Sequence, residues 1–523
     1  MDIKLLVVLL VALSLLIRAY PRIKLKNVYA SDTYFHLYCA KHIKNSKYTI
    51  PLSLPRVLLP HRYTYPYLYH YLLSLFSDKN RLTVERYTGA VTDTLSMLVC
   101  YVYSSNISQY VHQVNIALNA DLIVMLLYLL SPALLRIGSG PRAYNGSPRT
   151  VGQLLYIIHV LSCYTYYKNG QVLQLAICLL TGALIIITGK FSTQVLLFFG
   201  VLFTVFYAQT YLLIIIACFV LSVLVSNGKS VRILLGQLEH TVLYARYFQS
   251  RFLYPHLKTF KQYRDTVRIV CSNFNFKNCV EWLLVVERHP LHLFVTLYPH
   301  LIVLFFILIR GVAISDFDKF LLIWLMSGVL LYILTKLRLL LFLGEGERYV
   351  EYALFPSLYL FVKYTLLFMP AAIVVFLLYY IFCTVVYLEY FISRFKTQND
   401  SWHSTSICYQ ELDKYPSGIL WPIGSFHFQA LVRSKNHLVL SHGANVEKQT
   451  MDQFNIIYEN YPYPSGRFAE IVKTYGVNYI ISDEQHINHY KKCFVNNPGE
   501  FESLTELIAE SPILKVWRIK KDS

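Results

Sequence analysis

Apolar runs of near-bilayer length recur along most of this chain, and they decide what it can fold into. A helix rises about 1.5 Å per residue, so a hydrocarbon core of about 30 Å needs about 20 residues. Eleven candidate spans approach that length: 3–19, 90–105, 118–135, 151–168, 171–189, 191–207, 209–226, 291–311, 319–343, 352–369 and 370–392. Backbone polar groups in lipid must be bonded within the protein, which restricts spans to helices or closed barrels, and continuous apolar runs fit helices. Only 15% of the 523 residues are charged, against about 25% in soluble domains, and the mean hydropathy is +0.42. The first run, Leu5–Ile17, is preceded by a single Lys4, and Arg18-Ala19-Tyr20-Pro21 offers no small-residue cleavage site. It reads as an uncleaved span rather than a signal peptide. The expected fold is a polytopic α-helical membrane protein of about 11 transmembrane helices.

Three polar segments interrupt the spans: 20–89, 136–150 and 227–290. From about residue 396 the composition changes to that of a small soluble α/β domain. Leu438–Ser441 and Tyr479–Ser482 read as buried strands, and Phe468–Tyr475 as a helix entering the second through Gly476-Val477-Asn478. The chain thus divides into a membrane domain, 1–395, and a soluble domain, 396–523. From Lys396 onward 13 Lys and Arg meet 14 Asp and Glu, a balance of −1. The +18 net charge therefore lies entirely in the membrane part. Basic loops between spans suit anionic headgroups or phosphorylated lipids. They form no soluble basic face, which excludes nucleic acid as a partner. The ten cysteines include no CxxC pair; Cys408 and Cys493 are a possible disulfide if the tail is extracytoplasmic, and packing is the alternative. With eleven spans the odd-numbered connections share one face. That face would carry Asp32, Arg149, Lys190, residues 227–290, Glu347-Arg348 and the tail. The positive-inside bias opposes this, but long loops weigh little in that rule and a phosphate-binding face is basic in any case.

Asp32 follows the first span and opens a short amphipathic stretch. Phe35, Tyr38, Cys39 and Ile43 share its apolar face, and Lys41 and Lys44 fall off it. A carboxylate at a membrane surface suits a base that deprotonates a hydroxyl. The alternative is that Ser31 or Asp32 caps the helix. A second cluster, Gly344-Glu345-Gly346-Glu347-Arg348-Tyr349-Val350-Glu351-Tyr352, places Glu347 and Glu351 four residues apart and leaves Arg348 to grip a phosphate. An interfacial salt-bridge network is the alternative. Arg142 and Arg149 in a Gly/Pro-rich loop, with Lys190 and Ser192 at a span edge, suit a phosphate headgroup or serve as snorkelling anchors. The run Tyr63–Tyr71 reads as an interfacial aromatic belt or a sugar-stacking surface. Asp93 and Asp121 are expensive in lipid and should face the bundle interior. Thr188-Gly189-Lys190-Phe191 lacks P-loop spacing, and His486, His489 and Cys493 lack a fourth metal ligand. The sequons at Asn106 and Asn399 carry no weight by themselves.

Four of these segments resemble motifs of the GT-C superfamily of integral-membrane glycosyltransferases. The likeness points to relatives of protein mannosyltransferases and of the oligosaccharyltransferase catalytic subunit. The segments are Ser31–Leu37, Tyr65–Leu73, Gly189–Gln194 and Gly344–Tyr352. The resemblance implies a catalytic carboxylate at Asp32, with His36, Glu345, Glu347 and Tyr349 in support. It implies a donor phosphate held by Arg348, with Lys190 and Arg149. The expected donor is a polyprenyl-phosphate-linked sugar, and the expected acceptor is a hydroxyl of a lipid, glycan or protein on the extracytoplasmic face. The expected location is a cell membrane, or the endoplasmic reticulum in a eukaryote. The chain departs from the oligosaccharyltransferase pattern: residues 136–150 hold no second acidic motif, and no Trp-Trp-Asp opens the soluble domain. A divalent metal therefore lacks support. The rival readings are a flippase of lipid-linked saccharides, for which no internal repeat is visible, and a non-catalytic scaffold with the same fold.

Overall fold

The computed structural model describes residues 3–58, 63–112, 120–135, 142–243, 245, 260–286, 290–424, 426–434, 437–439, 467–491 and 499–520. They are mostly helical and form two compact units. The first comprises residues 1–24, 86–231 and 256–394; the second comprises 25–85, 232–255 and 395–523.

The first unit is a helical bundle turned inside out relative to a soluble protein. Val8, Leu16, Leu213, Phe306, Ile309, Val375 and Leu378 are exposed, while Arg18, Arg22, Asp93, Asp121, Arg142, Glu351 and Lys363 are buried. That exchange fits lipid as the solvent, where ionisable groups turn inward and pair. The chain is an integral membrane protein on this pattern. Helices Ile3–Lys24, Asp316–Leu334 and Pro370–Lys396 are each long and apolar enough to cross a bilayer. The pair Tyr211–Val225 and Lys229–Val242 makes a fourth if it is one broken span. Five shorter apolar helices accompany them: Ala120–Leu135, Val172–Thr188, Lys190–Phe206, Pro299–Ile309 and Leu354–Phe368. Proline sets some of the breaks. The expected span 118–135 is interrupted before Pro132, and 291–311 is split before Pro299. The expected span 319–343 ends its α-helix at Leu334 and continues as a 3₁₀ turn over Arg338–Leu343. Helix Asp78–His112 begins twelve residues before the expected span at 90, and helix Pro370–Asp413 runs through the expected boundary at 396.

The second unit gathers the first polar loop and the C-terminal segment. Its five-stranded sheet has β1 (Ile419–Pro422), β2 (Leu438–Val439), β3 (Val477–Ser482), β4 (Thr505–Glu510) and β5 (Lys515–Ile519), in the order β2-β1-β3-β5-β4. β1 pairs in parallel with β2 and β3, and β5 is antiparallel to β3 and β4. Helix Phe468–Tyr475 and strand β3 form where the sequence predicts them, whereas Ser441 of the other expected strand lies outside the described residues. Trp421, Phe468, Ile480, Tyr490, Phe501 and Trp517 make the core. The first loop is fastened to this domain by Arg56. Its guanidinium donates to the carbonyls of Leu431 (3.2 Å), Ser434 and His437 (3.2 and 3.3 Å), at the C-terminal end of helix His427–Arg433. Those are the carbonyls a helix end leaves unbonded, and a cation there also meets the negative end of the helix dipole.

Candidate functional site

Helix Ser31–Asn45 forms as the heptad-like spacing predicts. Phe35, Tyr38, Cys39 and Ile43 are buried, and Lys41 is exposed. The capping alternative does not hold, because Ala30 is the N-cap and no side chain closes the helix end. Asp32 is exposed in the first turn and makes no hydrogen bond or ion pair among the described residues. Four residues on, His36 is buried, and its Nδ1 lies 2.8 Å from Nε2 of His70. Nδ1 of His70 in turn meets the hydroxyl of Tyr63. Burial pushes His36 down to about 4 although Asp32 pulls it up, and burial with the neighbouring His36 lowers His70 further. Both imidazoles are therefore neutral at pH 7. The tyrosine run does not behave as a belt: Tyr63, Tyr67 and Tyr69 are buried, and Tyr65 stacks on His70 at 5.4 Å. Nor do they present an open stacking face.

The expected phosphate-binding residues belong to the first unit, and three different chain segments bring them into one neighbourhood. Gly344, at φ +100°, turns the chain out of the 3₁₀ segment into helix Glu347–Tyr352, a conformation only glycine adopts readily. Arg348 projects from that helix, bonded to Glu345 at 3.0 Å and 5.8 Å from the Phe191 ring. Tyr349 packs on the same ring at 4.7 Å and donates to the Leu343 carbonyl at 3.2 Å. Lys190 precedes Phe191 and makes no hydrogen bond or ion pair among the described residues. Ser192 meets Tyr352 hydroxyl to hydroxyl at 2.7 Å, and Tyr352 also reaches the Arg149 carbonyl at 3.4 Å. Arg149 lies within electrostatic range of Arg348, Glu351 and Glu345. Helix Pro148–Asn169 approaches this cluster closely at Gly152, where any Cβ would collide with Ser192.

Two expected candidates are already committed elsewhere. Arg142 is buried and bonds Asp93 (2.5 Å) and Glu351 (3.4 Å), while Asp93 also holds Arg18 (3.2 Å). Its guanidinium balances carboxylates inside the bundle and is not offered to a headgroup. Glu347 pairs with Lys336. Asp121 is buried, as expected for a carboxylate within the bundle. Cys408 donates to the Leu514 carbonyl at 3.4 Å, while Cys493 lies outside the described residues.

A cleft of about 550 Å³ within the second unit has no counterpart in the sequence reading. Asn27, Tyr29, Ser31 and Tyr34 line one part, and Thr405, Phe426, Gln429, Asp483, Glu484 and His486 line another. It opens beyond the carboxyl ends of parallel strands β1 and β3, where open α/β sheets bind ligands. Among its lining residues, His486 stood out in the sequence only beside His489 and Cys493, a set short of a metal site; here Asp483 accepts from His486 Nδ1 at 2.7 Å. Among the described residues no group of three His, Cys, Asp or Glu side chains converges on a metal position.

No protein-family model matches the chain, and neither does any curated protein sequence. Solved structures do. A mutant form of the arabinofuranosyltransferase AftD from Mycobacteria matches at TM-score 0.50 and 10% identity, over 99% of this chain and 42% of that one. A second AftD structure matches at TM-score 0.49 and 12% identity, over 100% and 40%. ArnT from Cupriavidus metallidurans matches at TM-score 0.41 and 10% identity, over 98% and 97%. The chain thus spans about two fifths of the AftD length. At such low identity the first of these matches establishes a shared fold and leaves the chemistry to the residues.

Proposed function

We propose that this chain, which has the fold of the GT-C membrane glycosyltransferases, transfers a sugar from a polyprenyl-phosphate-linked donor to an acceptor hydroxyl on the extracytoplasmic face. The observation that carries the reading is the approach of Arg149 and Arg348 around the Phe191–Tyr352 contact, with Lys190 next to Phe191 in the chain. Glu345 and Glu351 offset part of the repulsion between these like charges, and the positive charge left over suits an anion. Arg348 presents a planar fork matched to a phosphate, and Lys190 a compact charge. In the proposed reaction these cations stabilise the phosphate as it leaves the anomeric carbon. Asp32 takes the proton of the attacking hydroxyl, and Glu345 orients Arg348. Neutral His36, held by His70, puts no positive charge beside Asp32. The reading places the first loop and the tail outside the cytoplasm and takes 1–395 as the membrane domain and 396–523 as the soluble one.

The test is turnover of a radiolabelled polyprenyl-phosphate sugar by protein reconstituted in liposomes. General-base catalysis contributes about 10²–10⁴-fold, so Asp32→Asn should lose at least a hundredfold in kcat with donor binding retained. Correctly inserted Asp32→Asn protein with full turnover would remove Asp32 from the mechanism.

A further inference from the structure

We infer that the cleft beside Ser31 is an acceptor subsite and that it takes an uncharged, hydroxyl-rich saccharide. This rests on the transferase reading and adds the chemical class of the acceptor. At about 550 Å³ the cleft falls in the range of small-molecule sites, about 300–1,000 Å³. Its lining combines carboxylates, side-chain amides and aromatic rings, and includes no Lys or Arg among the described residues. Asp483 and Glu484 are acceptors suited to paired hydroxyls such as a vicinal diol presents. Each oxygen of Asp483 already accepts from His486, one from the backbone N–H and one from the ring, both at 2.7 Å. Each retains a further lone pair. Gln429 donates to the Tyr34 hydroxyl at 3.3 Å and so fixes its amide at the cleft wall. Tyr29 and Tyr34 meet edge to face at 5.9 Å and give the C–H face of a sugar ring a surface to lie on.

Charge decides against the other acceptor classes. Lys515, the cation paired with Glu484 at 3.5 Å, is not itself part of the lining. A phosphorylated or acidic acceptor would meet two carboxylates and one imidazole, and an acyl chain would strand the amides and carboxylates without partners. Ser31 belongs to the lining and Asp32 follows it on the helix. A saccharide seated in the cleft therefore has its nearest catalytic group one residue away in sequence.

The experiment uses the full chain in nanodiscs. Linear uncharged hexasaccharides of glucose, mannose or galactose are titrated by saturation-transfer NMR, alongside the same chains bearing phosphate. Saturable binding of an uncharged chain, at least tenfold tighter than its phosphorylated form, supports the assignment. Gln429→Ala and Asp483→Asn should each weaken it about tenfold, while Asp32→Asn binds like the parent. The assignment is overturned if no uncharged chain saturates, if the phosphorylated chain binds equally or better, or if both cleft variants bind unchanged. Intact saccharide binding with an active Asp32→Asn enzyme would sink the mechanism and leave the cleft standing, whereas the reverse pattern would sink only the cleft.

Discussion

Asp93 is the hinge of a buried charge chain, and its removal should be far more costly than removal of its partner Arg18. The chain runs Arg18–Asp93–Arg142–Glu351, with contacts of 3.2, 2.5 and 3.4 Å and every member nearly inaccessible. It alternates in sign, and buried Arg22 adds a further positive charge acting on Asp93. Asp93→Leu leaves two guanidiniums facing one carboxylate, an uncompensated buried charge worth about 3–5 kcal/mol. Arg18→Met is a different case. Asp93 keeps its two-point grip from Arg142, through Nη2 at 2.5 Å and Nε at 3.3 Å. Nε and Nη2 of Arg18 have no partner among the described residues, so two orphaned donors disappear with the side chain. Buried Arg22, whose charge also acts on Asp93, leaves the remaining carboxylates balanced, so loss of Arg18 should cost less than about 1 kcal/mol. In the double variant, Arg142 and Glu351 remain as a neutral pair, and most of the Asp93→Leu penalty should vanish. The assay is apparent melting temperature in one detergent. At about 2 °C per kcal/mol for a large domain, Asp93→Leu should fall by about 6–10 °C, Arg18→Met by under 2 °C, and the double variant should regain more than half of the loss. An Asp93→Leu protein within 2 °C of the parent, or a double variant less stable than the single, would refute the charge-balance reasoning.

Three further outcomes follow from the geometry. His36 has its folded pKa lowered to about 4 from the usual 6.5. The unfolded chain therefore binds more protons between those values, and stability should be full above pH 6.5 and fall toward pH 4, by at most about 3 kcal/mol. His36→Gln should flatten that part of the melting profile. Burial opposes the Asp483 charge, but the His486 contacts hold its carboxyl below the usual range, and Asp483 raises His486 above 6.5. This pair should support folding fully between about pH 4 and 6.5, weakening as pH rises through the His486 value or falls through that of Asp483; Asp483→Asn should remove both limbs from a thermal-shift series. Gly152→Ala forces Ser192 away from Tyr352 and should cost about 1–3 kcal/mol in thermal unfolding, with partial recovery when Ser192→Gly is added.

Legibility in the sequence followed the range of the signal. Helix Ser31–Asn45 and helix Phe468–Tyr475 were readable because apolar period and terminal glycine are local properties. The neighbourhood of Arg149, Lys190 and Arg348 was readable only as three separate loop-edge cations, since nothing local says that Phe191 will sit against Arg348. Arg142 looked identical to Arg149 as a loop arginine. What separates them is Asp93, forty-nine residues away, which claims one guanidinium and not the other. The tyrosines at 63, 67 and 69 misled because an aromatic run at headgroup depth and one packed into a domain core have the same composition. The cleft had no signature at all, because its walls come from segments almost the whole chain apart.

Arg56 carries a consequence for the order in which the molecule comes into being. Its hydrogen bonds reach residues 375 to 381 positions later in the chain. At about 5–20 residues per second, a ribosome needs roughly 20–75 s to supply those partners after Arg56 emerges. Throughout that interval residues 25–85 are without the domain that completes them. Assembly of the second unit is therefore a late event, coupled to insertion of all the helices in between. A truncation before residue 431 should leave Asp32 on an unfinished scaffold even where every intervening helix is in place.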